Sequence, residues 1–296
     1  MTTSTVVGIV GGTGIYSLDG LTDQQWVRVD SPFGVPSDEL LFGRLGDQRI
    51  VFLPRHGRGH RVPPHEINFL ANVDALKRAG ATCLISVSAV GSLREDLPPG
   101  TFVIVDQMID RTLRGPKTFF GTGLVGHVSM GHPTCRRLGA QLFAAATELE
   151  LAVHDGGTYV VMEGPQFSSL AESEMHRSLG ADVIGMTNMP EAKLAREAEL
   201  CYATVAMVTD FDCWHPDHDH VQVADIIKVL GANGANARRL LQHVIPRIGA
   251  GEGPCSAGCD RALDHAIMTA PEAQDPALVA KLDAVAGRVL GRGGHR

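Results

Sequence analysis

The chain reads as an α/β protein with a central, largely covered sheet between helices. Three observations predict this. Short β-branched runs recur along the 296 residues, stretches with apolar residues three or four apart lie between them, and several of the runs are apolar almost throughout. Strands buried on both faces look like that, and alternation with helices places them in one sheet.

Taken in order, the runs at 6–10, 49–54, 83–87, 102–108, 158–162, 182–185 and 202–208 are the predicted strands. Ile67, Leu70, Val73 and Leu76 form the first helical stripe, with Gly80 as its C-terminal stop. Leu138, Leu142, Ala145 and Leu149 form the second. The third opens on Ser169-x-x-Glu172, a capping box, and ends near Gly180. A long helix is expected over 223–245, before Pro246. No internal repeat or interdomain linker interrupts the pattern. Composition changes only at the glycine-rich 249–254, so residues 1–250 are expected to form the α/β domain and 251–296 a helical extension of it.

Composition excludes several function classes. The chain is 44% hydrophobic and 20% charged, enough for a sizeable core, with a formal charge of −7. That acidity argues against a nucleic-acid partner. No apolar run is long enough to span a membrane, and the N-terminus lacks the pattern of a secretory signal, so a cytoplasmic protein is expected. The six cysteines form no CxxC pair and read as buried or reduced thiols, with pairing of Cys255 and Cys259 in the tail the alternative for an unusually oxidising or hot host.

The chemistry-bearing motifs sit where strands end. Gly11-Gly12-Thr13-Gly14 follows the first strand, where a glycine turn presents N–H groups to an anion. It is neither a P-loop nor a dinucleotide fingerprint, since no GKS/T follows and Ser17 stands at the third glycine position. Alone it is equally well a plain tight turn. Pro54-Arg55-His56-Gly57-Arg58-Gly59-His60 adds a guanidinium fork and imidazoles, and Ser86-Val87-Ser88-Ala89-Val90-Gly91 adds hydroxyls. Three such strand ends point to an anion site at the carboxyl edge of a sheet.

Downstream lie Glu163-Gly164-Pro165-Gln166-Phe167-Ser168-Ser169, Gly185-Met186-Thr187-Asn188-Met189-Pro190-Glu191 and Val208-Thr209-Asp210-Phe211-Asp212-Cys213-Trp214. Asp210 and Asp212, at alternate positions, can face one ligand, and burial would raise one carboxyl into a general acid; two exposed loop aspartates are the plain alternative. Glu163, beside Gly-Pro, reads as a structural carboxylate. His215, His218 and His220 with Asp217 and Asp219 match no defined zinc spacing and read as a solvated loop, so no metal is expected.

With these motifs assembled, the chain resembles the methylthioadenosine phosphorylases of the trimeric purine nucleoside phosphorylase family over about residues 7–248, through GGTG, RHGRGH, EGPQFSS, MTNMPE and TDFDCW in that order. The resemblance implies the nucleoside phosphorylase fold with a mixed, distorted central sheet, and a trimer or dimer of trimers. It implies a nucleoside and inorganic phosphate as co-substrates, with no other cofactor. Thr13, Arg55, His56, Ser88, Ala89 and Thr187 would bind phosphate. Phe167 and Met186 would wall the sugar and base, Asp210 would bond purine N7 and Asp212 the exocyclic N6, with Ser168 beside them in the catalytic set. Val223 and Ile226 would line the 5′ end of the sugar, and His127 would reach the same end from a neighbouring subunit.

The 6-oxopurine members of that family carry Glu where this chain has Ser168 and Asn where it has Asp210, which points here to a 6-aminopurine. Apolar Val223 and Ile226 suit a methylthio group and leave a 5′-hydroxyl unsatisfied. Gln166 and the stretch Ser86-Val87-Ser88 depart from the family's basic and threonine-rich patterns and bear on phosphate affinity. The rival readings are a phosphorylase of broader or 6-oxopurine specificity, a hydrolytic nucleosidase, and a non-catalytic nucleotide-binding protein.

Overall fold

The computed structural model describes residues 5–12, 18–216, 223–248 and 254–291, with side chains from 228 onward in the third stretch. Thr13, His218, His220, Asp217 and Asp219, and the side chains of Val223 and Ile226, lie outside the described residues.

β1 (Val6–Gly11) is buried along its whole length and lies between two parallel neighbours, β4 (Gln48–Pro54) and β5 (Cys83–Ser92). This is why it carries no polar alternation. On the β4 side follow two antiparallel strands, β3 (Leu40–Leu45) and then β2 (Leu21–Val27) at the edge. Neither stands out in the sequence. β2 exposes Thr22 to Gln25, a polar run without an apolar face, because an edge strand need cover little.

At β5 the sheet forks. Its length pairs in parallel with β11 (Cys201–Asp210), while its end, at Gly91 and Ser92, pairs antiparallel with β10 (Val183–Gly185). β10 leads on to β9 (Thr158–Val161) and β7 (Gln107–Asp110), and β11 to β6 (Phe102–Val105) and β8 (Val153–Asp155). The run expected as one strand over 102–108 is therefore two. It breaks at Asp106, whose carboxylate and N–H both bond Gly157, because β6 and β7 serve different branches of the fork. The result is the mixed, distorted sheet of eleven strands that the resemblance implies.

The helices follow local chemistry. In α1 (Phe69–Arg78), Asn68 caps the N-terminus by accepting the Ala71 N–H at 3.0 Å, and Gly80 takes the left-handed conformation (φ +90°) past the end. α2 (Arg136–Glu148) buries Leu138, Leu142 and Ala145. α3 (Leu170–Ser178) has the expected capping box between Ser169 and Glu172. α5 (Val223–Val244) is the long helix. α4 (Asn188–Glu197) was not among the predicted helices; its first turn carries Asn188 and Glu191. Those polar residues are buried and bonded inside the protein. Beyond residue 254 come two short helices, α6 (Pro276–Lys281) and α7 (Asp283–Leu290), and Leu282 and Val285 join the principal apolar core. Cys255 and Cys259 do not bridge; none of the six cysteines forms a disulfide. No helix among the described residues is long and apolar enough to cross a membrane.

Candidate active site

A cavity of about 630 Å³ opens where β1, β4, β5, β10 and β11 end. Nine residues singled out in the sequence line it: Arg55, His56, Ser88, Ala89, Phe167, Met186, Thr187, Asp210 and Asp212. Gly12, of the glycine turn, lines it as well. His127 does not; within one chain it is exposed, with its N–H donated to the Ala266 carbonyl.

The arginine is placed differently from a free phosphate clamp. Arg55 Nε donates to Glu191 Oε2 at 2.9 Å, Nη1 to the Val87 carbonyl at 3.1 Å, and Nη2 to Ser86 Oγ at 2.6 Å and Glu191 Oε1 at 3.3 Å. Ser86 and Tyr202 hydroxyls donate to the same Glu191 oxygen. Of five guanidinium N–H groups, one on Nη1 remains for a ligand. Arg55 thus charges the site mainly from behind it. Glu191 was missed because its partner is far away in sequence.

His56 Nδ1 lies 2.9 Å from the Val62 carbonyl, and its ring stacks on His60 at 4.2 Å between centroids. Burial first, then the Arg55 charge, lowers its pKa to about 4. The ring is therefore neutral near pH 7. Since a carbonyl only accepts, Nδ1 carries the hydrogen and Nε2 presents a lone pair. Ser88 Oγ, Tyr159 OH and Thr187 Oγ1 form a hydroxyl group of neighbours, with Ser88 3.1 Å from Tyr159 and 3.2 Å from Thr187.

Asp210 owes its position to a bulge. Val208 faces Val90 and Asp210 faces Gly91, so Thr209 is an extra residue that turns the strand end. Thr209 Oγ1 donates to Asp210 Oδ1 at 2.6 Å and the Asp212 N–H to Oδ2 at 2.9 Å. Gly91 gives this approach room, since a Cβ there would stand 3.1 Å from Asp210 Oδ2 and 3.3 Å from the Asp212 nitrogen, closer than ordinary contact. Burial raises the Asp210 pKa, helped by the neighbouring Asp212 charge and opposed by those two hydrogen bonds. Asp212, in the left-handed conformation at φ +52°, is raised by burial too. The Ser168 and Ser173 hydroxyls lie near its carboxyl and oppose the rise, yet Oδ2 is buried without a partner. An acceptor left in that state is poised for a donor from a ligand.

Phe167 stands at the mouth, 47% exposed. Ser168 lies behind it, its carbonyl accepting from Cys213 and its hydroxyl 3.8 Å from Met162 Sδ; it reaches the site through Asp212 rather than lining the cavity. Arg114, unmarked in the sequence, ties the wall together. It donates to the carbonyls of Pro64 and Met186 at 2.9 Å, Met162 at 3.0 Å and Glu163 at 2.7 Å. Glu163 is structural, accepting the Leu113 N–H at 2.7 Å. His215 Nε2 lies 3.2 Å from Glu95 Oε1 and its ring stacks on Phe211.

A carboxyl pair, Asp210 half-buried and Asp212 buried, thus shares one cavity at the fork of a mixed sheet with the Arg55 guanidinium and the hydroxyls of Ser88 and Thr187. The family model of the phosphorylase superfamily matches residues 6–246. The chain belongs to that superfamily. Among phosphorylases of this superfamily, it is 59% identical over 286 residues to the S-methyl-5′-thioadenosine phosphorylase of Cereibacter sphaeroides, covering 97% of this chain and 99% of that one. It is 58% identical to that of Bradyrhizobium diazoefficiens over 288 residues, with 97% and 99% covered. A methylthioadenosine phosphorylase structure sourced from an antarctic soil metagenomic library superposes with a TM-score of 0.90 at 43% identity, covering 96% of this chain and 99% of that chain. The methylthioadenosine phosphorylase of Schistosoma mansoni in complex with adenine gives 0.81 at 37%, covering 88% and 97%.

Proposed function

We propose that this phosphorylase cleaves 5′-methylthioadenosine with inorganic phosphate, giving adenine and 5-methylthioribose 1-phosphate. The observation that carries the reading is the carboxyl pair facing the cavity, Asp210 half-buried and Asp212 buried, with Ser168 rather than an acid beside it. Adenine offers an amino hydrogen and a basic N7, which suit two carboxyls, and lacks the N1–H that a glutamate at 168 would accept.

The spacing agrees. Val87, bonded to Arg55, and Gly91, opposite Asp210, are four residues apart on β5, about 13 Å at 3.3 Å per residue. Phosphate, anomeric carbon and purine five-membered ring fit in that span. A phosphate oxygen attacks C1′ as the C1′–N9 bond breaks and its electrons pass to the base. Phosphate loses one proton on becoming an ester, and adenine gains one. His56 Nε2 can accept the first, and Asp210, kept protonated more readily by burial, can give the second to N7. No nucleophilic side chain, metal or cofactor is required beyond phosphate itself, since positioning and electrostatics supply the catalysis.

The Met186 carbonyl is held by Arg114 at 2.9 Å, which fixes the backbone that walls the sugar in this reading. In this reading the protein is a cytoplasmic homotrimer or dimer of trimers serving purine and methionine salvage, the exposed His127 completes the 5′ end of a neighbour's site, and Thr13 is among the phosphate ligands. Product analysis with methylthioadenosine, with and without phosphate, is the test. Adenine plus a sugar phosphate, formed only with phosphate, is expected; free methylthioribose without phosphate would make the chain a nucleosidase.

A further inference from the structure

Four of the six cysteines meet, drawn from three separate parts of the sequence. Cys135 is the residue before α2, Cys201 opens β11, and Cys255 and Cys259 lie in the C-terminal segment. All four are buried, and their sulfurs lie within 4.8 Å of one another. Cys135 and Cys255 Sγ are 3.7 Å apart. None of the four lines the catalytic cavity.

We propose that Cys135, Cys201, Cys255 and Cys259 form a structural tetrathiolate site for one zinc ion, which pins the C-terminal segment to the start of α2 and β11. The dimensions fit. A tetrahedron with Zn–S bonds of about 2.3 Å has edges of about 3.8 Å. A disulfide needs sulfurs about 2.0 Å apart, and a polynuclear iron–sulfur cluster needs its thiolates spread around several irons. Ligand atoms this close suit a single ion. Four protein thiolates would leave no open position on it, as in structural rather than catalytic zinc sites.

The surroundings suit the charge. Four thiolates and Zn²⁺ carry a net charge of about −2, following from the ligand set. Arg137 Nη2 points at Cys201 Sγ from 3.6 Å, and Arg196 and Lys77 lie within electrostatic reach of Cys259 and Cys201. Cys135 is at the positive end of α2. Four neutral thiols, which pack as small apolar groups, would have no need of a guanidinium aimed at sulfur. The Cys255 N–H donates to Asp260 Oδ2 at 3.1 Å, which holds the Cys255–Cys259 turn in shape.

The test is elemental analysis of the protein purified under reducing conditions and desalted without chelator, together with thiol titration in denaturant. About one zinc per chain, released by an organomercurial in step with loss of thiolates, is expected. Cys259→Ser and Cys255→Ser should each lose the zinc and unfold at lower temperature with kcat/KM little changed at 25 °C, whereas Cys213→Ser should keep it. Cobalt(II) exchanged into the wild type should give the visible bands of a tetrahedral thiolate site, a readout independent of whether the variants fold. A metal-free protein with six titratable thiols, one with fewer thiols because disulfides have formed, or one equivalent of iron would each overturn zinc as the occupant.

Discussion

Arg55 and Glu191 form a buried ion pair, Nε to Oε2 at 2.9 Å, at the wall of the cavity that Arg55 lines. One guanidinium therefore holds α4 to the end of β4 and supplies positive potential to the site. Removing either partner leaves a buried charge uncompensated, which costs about 3–5 kcal/mol, whereas replacing both with apolar residues of like volume is far milder. Arg55→Met should lower stability by that order in urea unfolding, and Arg55→Met with Glu191→Leu should recover most of it. Both proteins should need roughly ten- to a hundredfold more phosphate for half-saturation, as expected for one lost charge-assisted contact. Unchanged phosphate kinetics in a folded double variant would remove Arg55 from phosphate binding.

His56 should titrate near pH 4 in the ligand-free protein and move up when phosphate is added, because a dianion offsets the repulsion from Arg55. Histidine NMR, with His56→Gln to assign the signal, measures both. The folded pKa of about 4 lies below the ordinary 6.5, so between those values the unfolded chain holds more protons. Stability then rises with pH from about 4 to 6.5 and falls on acidification through that window. His56→Gln should flatten part of this slope. An imidazole still titrating at its ordinary value, and indifferent to phosphate, would mean that His56 is not at the anion site.

Replacing Asp210 with asparagine retains a donor toward N7 but removes the transferable proton. Asp210→Asn should lower kcat with methylthioadenosine by about two to four orders of magnitude, the range for losing a general acid. The wild-type rate should fall as pH rises past the elevated Asp210 pKa, and that limb should vanish in the variant. Residual activity should shift in ratio toward inosine, further with Asp212→Asn or Ser168→Glu added. Full turnover of methylthioadenosine by Asp210→Asn would mean that the proton comes from elsewhere.

Leu230 lines the cavity from α5, seven residues after Val223 and four after Ile226. That spacing returns to one face of a helix. If the 5′ end of the sugar meets this part of α5, as the proposed function has it, methylthio is favoured over hydroxyl, and methylthioadenosine should exceed adenosine in kcat/KM by roughly tenfold or more. Equal specificity constants would refute an apolar 5′ pocket.

The alternation of apolar strands and striped helices was enough to predict an α/β sheet, because burial on both faces imposes composition directly on β1, β5 and β11. The Ser169–Glu172 box and the stop at Gly80 were legible too, since capping is chemistry between near neighbours. The site motifs were legible as anion donors and paired carboxyls because those residue types sit at strand ends. Tertiary structure alone decided the rest. Polar, half-exposed β2 leaves no periodic signature at an edge, and α4 hides behind Pro190 and polar residues whose partners are remote. That Arg55 spends most of its donors on Glu191, 136 residues away, follows from packing and not from any local pattern. The same holds for Arg114 on four carbonyls, and for four cysteines scattered over more than a hundred residues that fold to within 4.8 Å. Local sequence records which face is apolar and where a helix is capped. Which buried polar groups satisfy one another is settled only when distant segments pack, because desolvation forces each to find a partner there.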